Sequence, residues 1–140
     1  MGYNCNGSAI LQQFFEIQKV VGCTGTLPKV IPFADFCAAV AQQVNADYRS
    51  VAFGAEKVRT IGVVSGGASD MIEQAAELGV DAFLTGEPSL QGYNQAENLG
   101  MNAIFAGHYA TEIFGIRALA KLIAQEFRIP TTLIDFAVPY

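Results

Sequence analysis

His108 is the single histidine of the chain, and Glu112 follows it four residues later in Ala106-Gly107-His108-Tyr109-Ala110-Thr111-Glu112. Residues i and i+4 share one face of a helix, so one cation can touch the imidazole and the carboxylate together. The same spacing often arises by chance, and a solvated or hydrogen-bonded side-chain pair is the competing reading. Two donors are fewer than the three or four that hold a zinc ion, and no second histidine exists to join them. The pair therefore reads as one half of a metal centre, with Glu112 doubling as the candidate catalytic carboxylate. Tyr109 reads as packing, and Thr111 as a hydroxyl in the first helical turn.

Two other short stretches carry chemistry-bearing residues. Ser65-Gly66-Gly67-Ala68-Ser69-Asp70 offers tight turning and backbone N–H groups at a helix start. That combination can cradle an anion, which makes Ser65, Gly66, Gly67 and Ser69 candidate ligand-binding residues. It matches neither a Walker A loop nor G-x-G-x-x-G, and a turn capped by Ser69 or Asp70 explains it equally well. In Thr85-Gly86-Glu87, the carboxylate of Glu87 is a candidate ligand-binding group, as general base or support for the site. Favourable charge at a helix N-terminus is its plainer role.

These residues must be placed by the elements around them. Ser8 can cap a helix carrying Ile10, Phe14, Ile17 and Val21 and ending at Gly22. Gly22 to Pro32 reads as loop with a short extended piece, and a second helix follows with Phe33, Phe36, Cys37, Val40 and Val44 on one face. From residue 58 the pattern becomes strand, small-residue loop, helix, and repeats. Strands are expected at Val58 to Val64, Ala82 to Leu84, Asn102 to Phe105 and Thr131 to Phe136. Helices are expected through Ile72, Ala75 and Ala76, then near residues 89 to 98, then after His108. In the last of these, Ile113, Ile116, Ala120, Ile123 and Phe127 should be buried while Arg117, Lys121 and Gln125 face water. The fold class is α/β, a mostly parallel sheet flanked by helices, in a single domain over residues 1–140. In a parallel sheet all strand C-termini lie on one edge, where ligands of open α/β sheets bind. The loops at Gly66, Gly86 and Gly107 should therefore converge.

Composition narrows the partners. Thirteen acidic residues against eight basic ones give a net charge of -5, which disfavours nucleic acid and anionic membrane. The chain is 51% hydrophobic and 15% charged over 140 residues, with a mean hydropathy of +0.31. No run is long enough to span a membrane. Such apolarity points to surface buried against another chain or domain, and self-association is expected. Cys5, Cys23 and Cys37 form no CxxC and leave an odd thiol, which fits a reducing cytoplasm, with Cys37 as a core thiol. The polar start Met1-Gly2-Tyr3-Asn4-Cys5-Asn6 does not read as a signal peptide.

Ser-Gly-Gly-Ala-Ser-Asp (65–70), Gly-Val-Asp-Ala-Phe-Leu-Thr-Gly-Glu (79–87), Ala-Gly-His-Tyr-Ala-Thr-Glu (106–112) and Leu-Ile-Asp-Phe (133–136) with Pro139 occur in that order. As a set they resemble the C-terminal half of the Nif-three-like family, whose members are known as GTP cyclohydrolase 1 type 2 homologues. The resemblance is clear from about residue 58 and looser from Gly7. It implies a two-metal centre in a cleft between two halves of a longer protein, with His108 and Glu112 as the C-terminal ligands. The N-terminal ligands, a histidine pair and an aspartate, would lie upstream of this chain, which reads as a partial family member. Zn, Mn, Fe and Ni all suit a histidine and a carboxylate. Ser89-Leu90-Gln91 departs from the Tyr-His that many members carry after Thr-Gly-Glu.

Two functions follow. One is a dinuclear-metal-dependent hydrolase, of which this chain carries part, acting on a small substrate, phosphorylated or not. The other is a non-catalytic binding or assembly module, whose apolar surface is an interface. A nucleotide-binding domain, resting on the glycine loop alone, is a third. Metal held by His108 and Glu112 separates the first from the others.

Overall fold

A computed structural model describes residues 13–16 and 19–136. Six strands form one sheet in the order β1-β2-β4-β5-β6-β3. They are β1 (Gln13–Glu16), β2 (Lys19–Pro32), β3 (Arg49–Ala52), β4 (Lys57–Val63), β5 (Ala82–Thr85) and β6 (Asn102–Phe105), with helices α1 (Phe33–Gln43), α2 (Ile72–Glu77), α3 (Leu90–Leu99) and α4 (His108–Phe127). A 3-10 turn at Ser69–Met71 leads into α2.

The centre of the sheet is parallel: β4 pairs with β5, and β5 with β6. β5 and β6 are buried at every position, as expected for strands covered on both faces. Alternation along these strands divides the core in two. Phe83, Ala103 and Phe105 join Ile72, Ala75 and Ala96 on one side. Ala82, Leu84 and Ile104 join Phe33, Cys37 and Val40 on the other. Cys37 is thus the core thiol expected, and burial pushes its pKa up despite a hydrogen bond with Ser50.

The α/β organisation and every βα unit from residue 57 to residue 107 match the sequence reading. The flanks of the sheet are antiparallel instead: β1 with β2, β2 with β4, and β3 with β6. The helix expected from Ser8 to Gly22 is not formed where the chain is described, its first part lying outside the described residues. Gln13–Glu16 and Lys19–Pro32 make a hairpin, and the expected loop from Gly22 is the body of β2. β-Branched residues at Val20, Val21, Thr24 and Thr26 favour this extended form over a helix.

The C-terminal part also departs from expectation. In α4 only Thr111 and Ile113 are buried, whereas Ile116 is 56% and Phe127 70% exposed. Twenty helical residues extend about 30 Å, while a four-residue strand such as β6 spans only about 13 Å. The helix therefore outruns the sheet beneath it. Thr131 to Phe136 forms no strand, because no neighbouring strand offers it a ladder among the described residues.

One clamp sets the register at the far end of the parallel strands. Asp81 Oδ2 accepts from Arg59 N, Thr60 N and Thr60 Oγ1, each at 2.8 Å. Partial burial raises the carboxyl pKa, but these three hydrogen bonds outweigh it and hold Asp81 below its ordinary value.

Candidate functional site

β4, β5 and β6 end side by side, and their backbone pairing continues into the loops beyond them. Gly86 N donates to Gly66 O at 2.8 Å, and Gly107 N to Gly86 O at 2.9 Å. Gly66 has φ +73 and Gly107 φ +92, the left-handed region that glycine enters without strain. Gly86 has no room for a side chain: a Cβ there would lie 2.5 Å from Gly66 O and 2.8 Å from His108 Cα. The three loops form one layer at the strand C-termini, as the sequence reading expects.

Two buried threonines stitch the layer together. Thr111 Oγ1 accepts from Gly66 N at 2.9 Å, and its own hydrogen reaches Gly107 O or His108 O, both at 2.9 Å. Thr85 Oγ1 accepts from Ala68 N at 3.2 Å and donates to Gly66 O at 3.1 Å. Sequence reasoning read Thr111 as a first-turn hydroxyl and gave Thr85, in the loop after the strand, no role of its own. The available signal was a hydroxyl next to Gly86 and another one turn beyond Gly107.

His108 opens α4, and its ring lies over this layer. Each ring nitrogen faces a different carboxylate. Nδ1 is 2.7 Å from Glu87 Oε1, and Nε2 is 3.3 Å from Glu112 Oε1. All three side chains remain about half open to solvent. Glu87 comes from the β5–α3 loop, twenty-one residues from the histidine, so the shared sheet edge and not local spacing brings it in. The glycine loop makes space for these acids. A Cβ on Gly66 would lie 2.7 Å from Glu112 Oε1, and one on Gly67 3.0 Å from Glu87 Oε2.

The remaining candidates are used differently. The Gly66 and Ala68 amides are engaged by the threonines, and Ser69 Oγ donates to Ser89 Oγ at 2.7 Å. Ser89 in turn caps α3 by accepting from Gly92 N. Ser65 is exposed beside the layer. It also borders an apolar cavity of about 330 Å³ whose other walls include Phe36, Val40, Leu84, Thr111 and Phe114. Tyr109 turns away from the ring pair, and its hydroxyl donates to Asp135 Oδ1 at 2.5 Å. That bond raises the phenol pKa.

As a metal site the arrangement is partial. His108 Nε2 and Glu112 Oε1 are adjacent donors on one side of the ring, while Glu87 occupies the other nitrogen. Among the described residues no group of three or more His, Cys, Asp or Glu side chains is placed to hold a metal ion. No helix among the described residues is long and apolar enough to cross a membrane.

The chain resembles known proteins in sequence and fold. A family model described as Duf34/NIF3 (NGG1p interacting factor 3) matches residues 6–138. The chain is 38% identical over 127 residues to a GTP cyclohydrolase 1 type 2 homolog of Deinococcus radiodurans, covering 90% of this chain and 48% of that protein. It is 37% identical to the homolog of Pyrococcus abyssi, covering 89% and 50%. The chain thus spans about half the length of these relatives. Among solved structures, the protein ybgI, titled as of unknown function, superposes with a TM-score of 0.83 at 30% identity, covering 93% of this chain and 53% of that one. Matched by the family model over nearly its whole length, the chain belongs to the Duf34/NIF3 family.

Proposed function

We propose that His108 and Glu112 contribute to a divalent-metal centre of a hydrolase, the further donors coming from outside the described residues. The observation that carries this reading is the pairing of Nε2 and Glu112 Oε1 at 3.3 Å on a solvent-open sheet edge. Membership of the family, whose relatives bear a cyclohydrolase name, supports it. Two such ions, of Zn, Mn, Fe or Ni, would polarise a substrate oxygen and lower the pKa of a bound water.

The chain's own residues set how a substrate meets this edge. His108 and Glu112 would hold the ion, and the second oxygen of Glu112 would accept a proton from a hydroxyl brought to the site. A phosphorylated substrate would face two carboxylates, Glu87 and Glu112. Its charge would be offset by bound cation rather than by the Gly66 and Ala68 amides, which Thr111 and Thr85 already occupy. The glycine loop then serves the site by giving the acids room.

The test is metal content per chain after dialysis, by elemental mass spectrometry, for the wild type and His108→Ala. Near-stoichiometric metal that disappears in the variant supports the centre. Metal absent from both proteins overturns it.

A second reading, a non-catalytic assembly module, is favoured by α4. Phe114, Ile116, Leu119, Leu122 and Phe127 are each at least 45% exposed along it. Under this reading a second copy of the chain covers them, and sedimentation velocity should show a dimer or larger species that Leu119→Glu with Leu122→Glu dissociates.

A further inference from the structure

We infer that Glu87 is a positioning residue that fixes the tautomer of His108, holding the hydrogen on Nδ1 so that Nε2 presents its lone pair beside Glu112. What the lone pair serves rests on the metal reading above; the tautomer itself does not.

The argument begins with what a carboxylate can do. An ionised carboxylate only accepts hydrogen bonds. A contact of 2.7 Å between Glu87 Oε1 and His108 Nδ1 is a charge-assisted hydrogen bond only if Nδ1 carries the hydrogen. In the neutral ring the other nitrogen is then an acceptor. Nε2 therefore meets Glu112 Oε1 at 3.3 Å as one electron-pair donor facing another. That contact is unfavourable between the two alone and favourable once a cation lies between them. A carboxylate on the far nitrogen of a metal-binding histidine orients the ring and increases its basicity.

Glu87 is also held in place for this task. Its backbone N donates to Gly66 O at 3.2 Å, alongside Gly86 N, so the residue is registered to the same layer as the histidine. Gly67 lies against its carboxylate, where a Cβ would approach Oε2 to 3.0 Å and His108 Nδ1 to 3.8 Å. The glycine leaves that approach open. The contact joins the β5–α3 loop to the first residue of α4, with α3 and β6 between them in the chain, and nothing in the helix-start role of Glu87 requires it to reach the ring.

Because His108 is the only histidine, its ring nitrogens can be read directly by ¹⁵N NMR, in the metal-free chain at a pH where the ring is neutral. The wild type should show the Nδ1–H tautomer. Glu87→Ala should shift the population to Nε2–H, and Glu87→Gln, which keeps an acceptor oxygen, should fall between. Backbone amide spectra establish that each variant is folded, and the half-open position of Glu87 makes this the expected result. A wild-type ring carrying its hydrogen on Nε2, a ring doubly protonated across the accessible range, or an Glu87→Ala spectrum identical to wild type overturns the inference. Zinc titration supplies a second readout: Glu87→Ala should bind about 10–100-fold more weakly, and unchanged affinity counts against the inference. A wild type that takes up no zinc defeats the metal reading while the tautomer measurement still decides this one.

Discussion

Gly66 lies so close to Glu112 that a methyl group on its Cα would stand 2.7 Å from Glu112 Oε1 and 3.2 Å from His108 Nε2. The glycine is bounded by the two donors themselves, and its φ of +73 is unfavourable for any residue with a Cβ. Gly66→Ala should therefore destabilise the fold by about 1–2 kcal/mol. It should also displace the Glu112 carboxylate and, under the proposed metal reading, weaken metal binding about tenfold. Thermal unfolding and metal titration check the two effects, and an unaltered affinity would show that Glu112 does not depend on that space.

Gly86 is hemmed in by backbone, with Gly66 O, His108 Cα and Gly107 O each within 3 Å of where a methyl group on it would lie. Backbone cannot swing aside as a side chain can. Gly86→Ala should cost roughly 2–3 kcal/mol, more than Gly66→Ala, and denaturant unfolding of the two variants gives the ranking.

Asp81 binds the start of β5 to β4 from the edge opposite the histidine. Its carboxyl is lowered below the ordinary value of 3.8 because three hydrogen bonds outweigh the desolvation of partial burial. A lowered folded pKa contributes stability that is full above the unfolded value and lost as pH falls through the folded value. Asp81→Asn should be less stable than wild type by about 1–2 kcal/mol at neutral pH. The gap should narrow below pH 3.8 as the wild-type carboxyl protonates. Urea unfolding at pH 7 and pH 3 tests this; a gap independent of pH would remove charge from the explanation.

Tyr109 ties the segment after α4 back to the start of that helix through its bond to Asp135. The hydrogen bond to Asp135 raises the phenol above its ordinary 10.0, so the tie is complete below that pH and released as pH rises through the higher folded value. Tyr109→Phe should speed amide exchange over residues 128–136 at neutral pH, leaving β4, β5 and β6 unaffected. Equal exchange in both proteins would mean the segment is held by other contacts.

The parts of this molecule legible in its sequence are those decided locally. Buried runs such as Ala82-Phe83-Leu84, each with a glycine two residues beyond its end, mark strand ends because few other structures use them. His108 and Glu112 were visible as a pair because helical spacing alone joins them. The contact between Glu87 and His108 was not, since it depends on two loops meeting across the sheet. β3 has an almost wholly exposed surface and hence no apolar alternation to betray it. Phe14, Ile17 and Val21 fit a helical stripe on paper, while the β-branched residues around Val20 and Thr24 decide for a hairpin. The apolar stripe of α4 is real as a pattern, but a pattern shows that a face is apolar and not that anything lies against it.

The continuous hydrogen bonding from Gly107 through Gly86 to Gly66 makes the three loops behave as a single plate. Such a plate cannot open around a ligand one loop at a time. Any adjustment at this edge falls to the torsions of the half-open side chains above the plate, Glu87 and Glu112 among them. Whatever this edge accommodates would then be selected by side-chain reach over a rigid floor.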